Sequence, residues 1–204
     1  VIPNPNAPTG IMEEISVFEE IVAKNPDVVV IVDEAYVDFG AQSMLPLIER
    51  YDNLLVVQTF SKSRAMAGMR VGAAFGCEKL IRFLKDVKFS FNSYTMNYPA
   101  IELGAAALSD DAYFKEITGK IIKTRERSKK QLAELGFTFA DSMSNFLFVT
   151  HPDKEAGEIF EKLKEKGIYV RHWNKPRISN YLRVTIGTDE QMDRLMEALR
   201  EILS

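Results

Sequence analysis

Apolar positions along the chain alternate between helical spacing and short continuous runs. Residues 11 to 24 carry Ile, Phe and Val side chains at helical spacing, and Asn25-Pro26 ends this predicted helix. Val28 to Val32 is a continuous β-branched run, and Leu54 to Val57 has the same character, as expected for strands buried on both faces of a parallel sheet. Val71 to Phe75 predicts a third short strand. Strands that alternate with helices indicate an α/β fold, which binds ligands at the carboxyl ends of its strands.

The pattern changes after Gly76, where helical spacing predominates. It predicts helices at residues 78 to 88 and 96 to 108, and one long helix at 110 to 135 that Gly136 ends. Strand-like segments then alternate with two helices, and a Thr188–Gln191 capping box opens the second helix. The strands cover residues 137 to 140, 146 to 150, 168 to 172 and 181 to 186, and the helices cover 153 to 166 and 189 to 203.

The long helix marks the predicted joint between two domains. Residues 1 to 109 are expected to form the C-terminal part of a large domain with a mainly parallel sheet, and residues 110 to 204 a small α+β domain. The chain begins at Val1 without an initiator methionine, which predicts an N-terminally truncated fragment.

Composition and charge narrow the function classes. The 204 residues are 46% hydrophobic and 27% charged with a formal net charge of -3, which is typical of a globular protein rather than a nucleic-acid binder. The basic run from Lys120 to Lys130 is therefore expected to be a solvated helix face. The single cysteine, Cys77, fits a cytoplasmic setting, and no apolar run is long enough to span a membrane. His151 and His172 lack metal-ligand spacing, so no metal site is predicted.

Three polar clusters follow the predicted strands. They are Asn4-Pro5-Asn6-Ala7-Pro8-Thr9-Gly10, Asp33-Glu34-Ala35-Tyr36, and Thr59-Phe60-Ser61-Lys62-Ser63-Arg64, the last followed by Arg70. Each alone is ambiguous, because an aspartate after a strand is often a helix cap and a polar turn is usually only a turn. Together they fall at adjacent carboxyl ends of one sheet, where a ligand crevice is expected.

The residue types in these clusters suit a pyridoxal-phosphate site. A lysine amine forms a Schiff base with the aldehyde of this cofactor, and a carboxylate keeps the pyridine nitrogen protonated so that the ring accepts electrons. A tyrosine hydroxyl can hydrogen-bond the ring oxygen. The phosphate needs a fixed cation and short hydroxyl donors, which Arg70, Ser61 and Thr59 could provide.

The chain resembles fold-type I aminotransferases over its whole length, and more narrowly their histidinol-phosphate branch. The resemblance rests on the first cluster, on Val-Asp-Glu-Ala-Tyr-Val-Asp-Phe at 32 to 39, on the lysine cluster and on Ala-Gly-Met-Arg-Val-Gly at 67 to 72. The narrower likeness rests on Ser-Asn-Phe-Leu-Phe-Val at 144 to 149, Tyr-Val-Arg-His-Trp at 169 to 173 and Tyr-Leu-Arg-Val-Thr-Ile-Gly-Thr at 181 to 188. It implies the fold of pyridoxal-phosphate-dependent transferases and a homodimer when the protein is full length.

The resemblance also implies roles for the residues that would hold the cofactor. Lys62 carries it as a Schiff base and moves a proton between the substrate Cα and the cofactor. Asp33 pairs with the pyridinium nitrogen, and Tyr36 bonds the ring oxygen. Ser61 and Arg70 hold the phosphate, with Thr59 as a further donor.

Two arginines are implied to bind the substrate. Arg183 matches the residue that receives the substrate's anionic end, and Arg171 is a second clamp for a phosphate ester. Trp173 and Phe146 could line the substrate side, and core packing is the default assignment for both. The family often has an asparagine where Ala7 stands, so Asn6 is the candidate to replace its contact with the ring oxygen.

The implied reaction moves an amino group between histidinol phosphate and 2-oxoglutarate in histidine biosynthesis, with pyridoxal 5'-phosphate as cofactor and without a nucleic acid or membrane partner. Three alternatives stay open: another class I or II aminotransferase, for example for aromatic amino acids; a threonine-phosphate decarboxylase; and the aminotransferase-like effector domain of a regulator. Family elements that bind the phosphate and stack on the ring precede the segment present here. The fragment alone is therefore expected to bind the cofactor weakly and to be inactive.

Overall fold

The computed structural model describes all 204 residues, which form eight strands, six α-helices and three short 3-10 turns. The first half contains β1 (Ile2–Pro3), α1 (Ile15–Lys24), β2 (Val30–Asp33), β3 (Leu54–Thr59), β4 (Gly72–Gly76), α2 (Glu78–Phe91) and α3 (Tyr98–Ser109). The second half contains α4 (Asp111–Glu134), β5 (Thr138–Phe139), β6 (Phe146–Thr150), α5 (Ala156–Glu165), β7 (Arg171–His172), β8 (Leu182–Thr185) and α6 (Asp189–Leu203).

The chain folds into two compact units. Unit 1 comprises Val1–Asn6 and Met12–Thr118, and unit 2 comprises Ala7–Ile11 and Gly119–Ser204. The division falls inside α4, whereas the sequence pattern places the joint at the start of that helix.

The sheet of unit 1 has the strand order β1-β2-β3-β4. The first three strands are parallel and β4 runs antiparallel to β3, so the predicted mainly parallel α/β sheet is confirmed. The expectation that Val28 to Val32 is buried throughout was wrong at its start, because Val28 and Val29 are 56% and 48% exposed. The Val28 N–H donates to the Asn25 carbonyl, and this turn delays the strand until Val30.

The core of unit 1 lies between the sheet and α1, while its later helices bury little. Phe18 and Val22 of α1 pack with buried β2 and β3 side chains such as Val32, Leu54 and Val56. In contrast, α2 buries none of its residues and α3 buries only Ala100 and Gly104. Large apolar side chains therefore stay exposed along these helices, among them Phe83, Val87, Phe89, Phe91, Ile101 and Leu103.

The sheet of unit 2 is antiparallel, in the order β5-β6-β8-β7. Leu147 and Leu182 of this sheet pack against α5 and α6 in one closed core. The capping box at Thr188 and Gln191 forms as predicted. Six residues of α6 are buried in the core: Met192, Leu195, Met196, Ala198, Leu199 and Ile202.

The basic run on α4 is partly bound within unit 2, whereas Lys123 and Lys130 are exposed. The side chain of Arg125 is only 3% exposed, and its Nη1 donates to the Ser144 carbonyl at 2.9 Å. Arg127 pairs with Asp189 and Asp193, and Lys129 pairs with two carboxylates. The prediction of a solvated face was therefore wrong for Arg125, because the sequence pattern does not show that the Ser144 carbonyl lies next to its side chain.

No helix in the structure is both long and apolar enough to cross a membrane.

Candidate active site

The register of the unit 1 sheet brings the polar clusters to one edge. Pro3 pairs with Asp33, and Asp33 pairs with Val57, so the first and second clusters leave neighbouring strands at the same level. Thr59 at the end of β3 pairs with Gly72 at the start of β4. Because β4 is antiparallel, the residues just before it lie at this edge as well. The edge thus collects the segment up to Asn6, then Asp33, Tyr36, Thr59, Ser61, Lys62 and Arg70.

Asp33 and Glu34 point to opposite faces, as adjacent strand residues do. Glu34 is buried, and its carboxylate accepts hydrogen bonds from the Ser43 hydroxyl, the Met44 N–H and the Gln58 amide. Asp33 is half-buried, and its Oδ1 accepts the N–H of Ala35 at 3.0 Å while Oδ2 makes no hydrogen bond. Glu34 therefore anchors the strand end, and Asp33 keeps one oxygen for a ligand.

Lys62 lies in the long loop between β3 and β4. The loop is closed at its base by the Phe60 N–H, which donates to the Val71 carbonyl at 3.1 Å, and the Met66 N–H donates to the Phe60 carbonyl at 3.0 Å. Lys62 is exposed, makes no ion pair, and its Nζ lies 5.6 Å from the centre of the Tyr36 ring. The ammonium group is thus accessible to solvent and lies near an aromatic ring.

The loop around Lys62 is held by its neighbours. The Ser63 hydroxyl donates to the Asp38 carboxylate. Arg64 donates to the Ala107 carbonyl, and its guanidinium carbon lies 4.2 Å from the centre of the Phe114 ring. These contacts fix the residues after Lys62 and leave the lysine side chain itself unrestrained.

Hydroxyls and a guanidinium complete this edge. The Thr59 hydroxyl hydrogen-bonds Ser61 Oγ at 2.9 Å, and the Ser61 N–H donates back to Thr59 Oγ1 at 3.2 Å. Arg70 is exposed and adopts a left-handed backbone with φ 57°, and Ala65 does so with φ 52°. Two non-glycine residues in this conformation within one loop store strain, which is typical of functional loops. This edge thus brings together two hydroxyls, a guanidinium and strained backbone.

Unit 2 presents the two predicted substrate arginines side by side. Arg171 on β7 pairs directly with Arg183 on β8. Like charges at such opposed positions repel, and here no carboxylate compensates them, because neither guanidinium makes an ion pair or a hydrogen bond. Instead, the guanidinium carbons of Arg171 and Arg183 lie 5.3 Å and 5.6 Å from Trp173 ring centres, and Arg183 lies 5.0 Å from Phe146. Arg183 Nε is buried without a partner.

Two residues of these sites were named by sequence reasoning but not assigned to a site, one being left without a role and the other being placed in the core by default. Glu34 is one, although the alternation of faces after a buried strand could have separated its role from that of Asp33. Trp173 is the other: it is half-buried against two arginines rather than packed in the core, whereas Phe146 is 2% exposed as expected of a core residue. Its place two residues after Arg171, directly beyond the end of β7, was the available signal.

The chain belongs to the family described as aminotransferase class I and II, whose sequence profile matches residues 1–199. It is 52% identical to the histidinol-phosphate aminotransferase of Lactococcus lactis subsp. cremoris, over 100% of this chain and 57% of that protein. It is 57% identical to the enzyme of the same name from Marinomonas sp., over 99% of this chain and 58% of that protein.

The chain is also similar to a solved structure of an enzyme with this name. The histidinol-phosphate aminotransferase of Sinorhizobium meliloti in complex with pyridoxal-5'-phosphate matches with a TM-score of 0.85 and 28% identity, over 98% of this chain and 56% of that one. The chain thus spans somewhat more than half the length of the relatives it matches.

Proposed function

We propose that this chain carries the reactive lysine and the substrate-anion site of an aminotransferase that moves an amino group between histidinol phosphate and 2-oxoglutarate. The observation that carries the substrate assignment is the pair of opposed, uncompensated arginines, Arg171 and Arg183, on neighbouring strands. Two guanidiniums suit a phosphate ester, which offers more charge and more acceptor oxygens than a carboxylate. The named relatives at 52% and 57% identity support the same substrate.

The proposed cofactor is pyridoxal 5'-phosphate, and the donor set at the unit 1 edge fits it. The set offers an amine without an ion pair, a carboxylate with one oxygen not hydrogen-bonded, an aromatic hydroxyl, a guanidinium and two adjacent hydroxyls. Lys62 is the proposed covalent attachment point, and Asp33 the partner of the ring nitrogen. Tyr36 and Asn6 are proposed contacts of the ring oxygen, and Ser61, Thr59 and Arg70 are proposed to hold the phosphate.

When bound, this cofactor supplies a ring that accepts the electrons of the substrate Cα–H bond. Lys62 is suited to take the Cα proton and deliver it to the cofactor, because its side chain is exposed and not engaged in an ion pair. Asp33, anchored through Oδ1 to the Ala35 N–H, supplies a fixed negative charge. Arg183 and Arg171 orient the substrate through its anionic end. The whole protein is proposed to act as a homodimer, as the family resemblance implies.

The decisive measurement compares specificity constants for histidinol phosphate and for glutamate in the intact protein. Arg171→Ala should lower the constant for histidinol phosphate roughly tenfold more than that for glutamate, because a carboxylate can be bound by one guanidinium. Arg183→Ala should lower both. Lys175→Ala, which removes an exposed cation from the connection after β7, is the matched control and should change neither.

Two outcomes would overturn parts of this proposal. An unchanged ratio in Arg171→Ala removes the phosphate role of that residue. No activity of the wild-type protein on histidinol phosphate, with activity retained on another amino donor, assigns the protein to a different substrate. Analysis of the first half-reaction adds a second check, since transamination converts the cofactor to its amine form and decarboxylation does not.

A further inference from the structure

We propose that Trp173 is a positioning residue that holds Arg171 and Arg183 as a pair and so favours a phosphate ester over a carboxylate. This inference rests on the proposed function only for the identity of the substrate. The pairing itself is a property of the β7–β8 face and can be tested with inorganic phosphate alone.

Strand pairing and ring contacts bring the three side chains together. Arg183 lies directly across from Arg171, and Trp173 follows the last residue of β7. The guanidinium carbons lie 5.3 Å and 5.6 Å from Trp173 ring centres, within the range of a cation–π contact. The indole of Trp173 is therefore in contact with both guanidinium groups.

The position of Trp173 is itself fixed by its surroundings. Its ring meets the edge of Phe148 at 6.4 Å between centroids, and Phe148 stacks on Tyr181 at 4.6 Å and 11°. The Trp173 carbonyl accepts the Lys175 N–H at 2.9 Å. The neighbouring His172 bonds the Ser179 carbonyl through Nε2 at 2.7 Å, which ties the two ends of the β7–β8 connection together.

An aromatic ring next to the two arginines affects anion binding differently from a carboxylate in the same place. A carboxylate between the arginines would neutralise them and would have to be displaced by the substrate. A ring face attracts both cations but leaves their N–H donors unbonded, as the buried and unpartnered Arg183 Nε shows. The repulsion between the two cations is then relieved only when an anion binds, and a phosphate that contacts both gains more than a carboxylate that contacts one.

The first experiment uses fluorescence, because Trp173 is the single tryptophan of the 204 residues. Inorganic phosphate is titrated into the intact protein, and the same titration of Trp173→Phe is subtracted to isolate the Trp173 signal. We expect a saturable change in emission that is lost in Arg171→Ala and kept in Lys175→Ala. No change on phosphate addition, or the same change in Arg171→Ala, would overturn the proposal. This readout needs neither cofactor nor turnover, so its failure is distinguishable from failure of the proposed function.

The second experiment separates positioning from folding. Trp173→Leu should raise KM for histidinol phosphate roughly three- to tenfold, the size of a partly exposed cation–π contact, and KM for glutamate by less than about twofold, with kcat little changed. Trp173→Phe keeps a ring and should fall between wild type and Trp173→Leu. Tyr169→Leu, which removes an exposed aromatic from the same segment, is the control. If both KM values rise in equal proportion in Trp173→Phe and Trp173→Leu, the specificity role is refuted.

Discussion

The two units hold the cations proposed for chemistry and for binding in opposite ways. In unit 1, Lys62 projects from a loop that contains two strained left-handed residues, and it meets a single aromatic ring. In unit 2, Arg183 stands on a regular strand between the rings of Phe146 and Trp173. A lysine that must move a proton between atoms benefits from an unrestrained side chain, whereas recognition of an anion benefits from groups fixed in advance. The difference matches the proposed roles, which are proton movement for Lys62 and recognition of an anion for Arg183.

The units also differ in how their helices are packed. The α6 helix of unit 2 buries six side chains in a closed core, while α2 of unit 1 buries none. Apolar patches of this kind mark interaction surfaces in soluble proteins. Unit 2 thus has the packing of a self-contained fold, and unit 1 presents surface that remains uncovered within these 204 residues.

The largest expected effect is the loss of the lysine. Lys62→Ala should lower transamination by roughly a thousandfold or more and abolish covalent attachment of the cofactor, because no second amine is proposed at this edge of the sheet. The measurement is borohydride reduction of the intact, cofactor-loaded protein followed by peptide mass analysis. Lys62→Arg keeps the charge without a competent amine and should fail equally. A cofactor-labelled peptide that contains a different lysine would refute the assignment.

The next effect tests the contrast in packing. Leu147 in the core of unit 2 is fully buried, and Leu147→Ala should lower the free energy of unfolding by about 2–5 kcal/mol. Val87 on α2 is 68% exposed, and Val87→Ala should change it by less than about 0.5 kcal/mol. Urea denaturation followed by far-ultraviolet circular dichroism, which reports the helices of both units, gives both values. If the two variants unfold at the same urea concentration, the contrast between a closed and an open packing does not hold.

The third effect concerns Asp33. Asp33→Ala should lower kcat on the order of a hundredfold while KM for the amino donor changes little, because its charge is needed chiefly as the transition state forms. Asp27→Ala removes an exposed carboxylate before β2 and should leave kcat unchanged. Near-normal turnover of the cofactor-loaded Asp33→Ala protein would exclude the proposed role.

Much of this architecture follows from local sequence patterns. The bounds of β6 and α6 and the capping box at Thr188 match the prediction, because strong periodicity and a cap define them. The polar clusters after β2 and β3 reach one edge because parallel neighbours must end on the same side. The direction of β4 is not encoded locally, and its antiparallel pairing is what brings Arg70 to that edge.

Other features depend on contacts between segments that are distant in sequence. The burial of Arg125 requires the Ser144 carbonyl, nineteen residues further along the chain. Trp173 meets Arg183 only because β7 pairs with β8 in one particular register. Neither contact produces a periodic pattern in the sequence. Sequence reasoning therefore assigns Arg125 to a solvated helix face and Trp173 to the core by default.

The smallest expected effect lies in unit 2, at the ion pair between Lys129 and Asp141. The hydrogen bond from the Lys129 ammonium holds the pKa of the Asp141 carboxyl below its ordinary value, and partial burial acts in the opposite direction. A carboxyl with a lowered pKa binds fewer protons in the folded state than in the unfolded state. Its contribution to stability is therefore complete above the ordinary aspartate range and is lost as the pH falls through that range and below it.

Lys129→Met removes this stabilisation together with the bond from Lys129 to Glu126, whose pKa is also lowered through its bonds to Lys129 and Arg125 against the effect of burial. At neutral pH the variant should be less stable than wild type by about 1 kcal/mol or less, because both carboxylates are largely exposed. The difference in free energy of unfolding between wild type and Lys129→Met should shrink as the pH is lowered. At acid pH the two carboxyls are protonated in the wild type, so that the wild type also loses its ion pairs with Lys129. Lys130→Met, an exposed neighbour on α4, should show no such convergence. Urea unfolding at a series of pH values measures this difference, and a difference that stays constant or widens toward acid would show that Lys129 acts through packing rather than through charge.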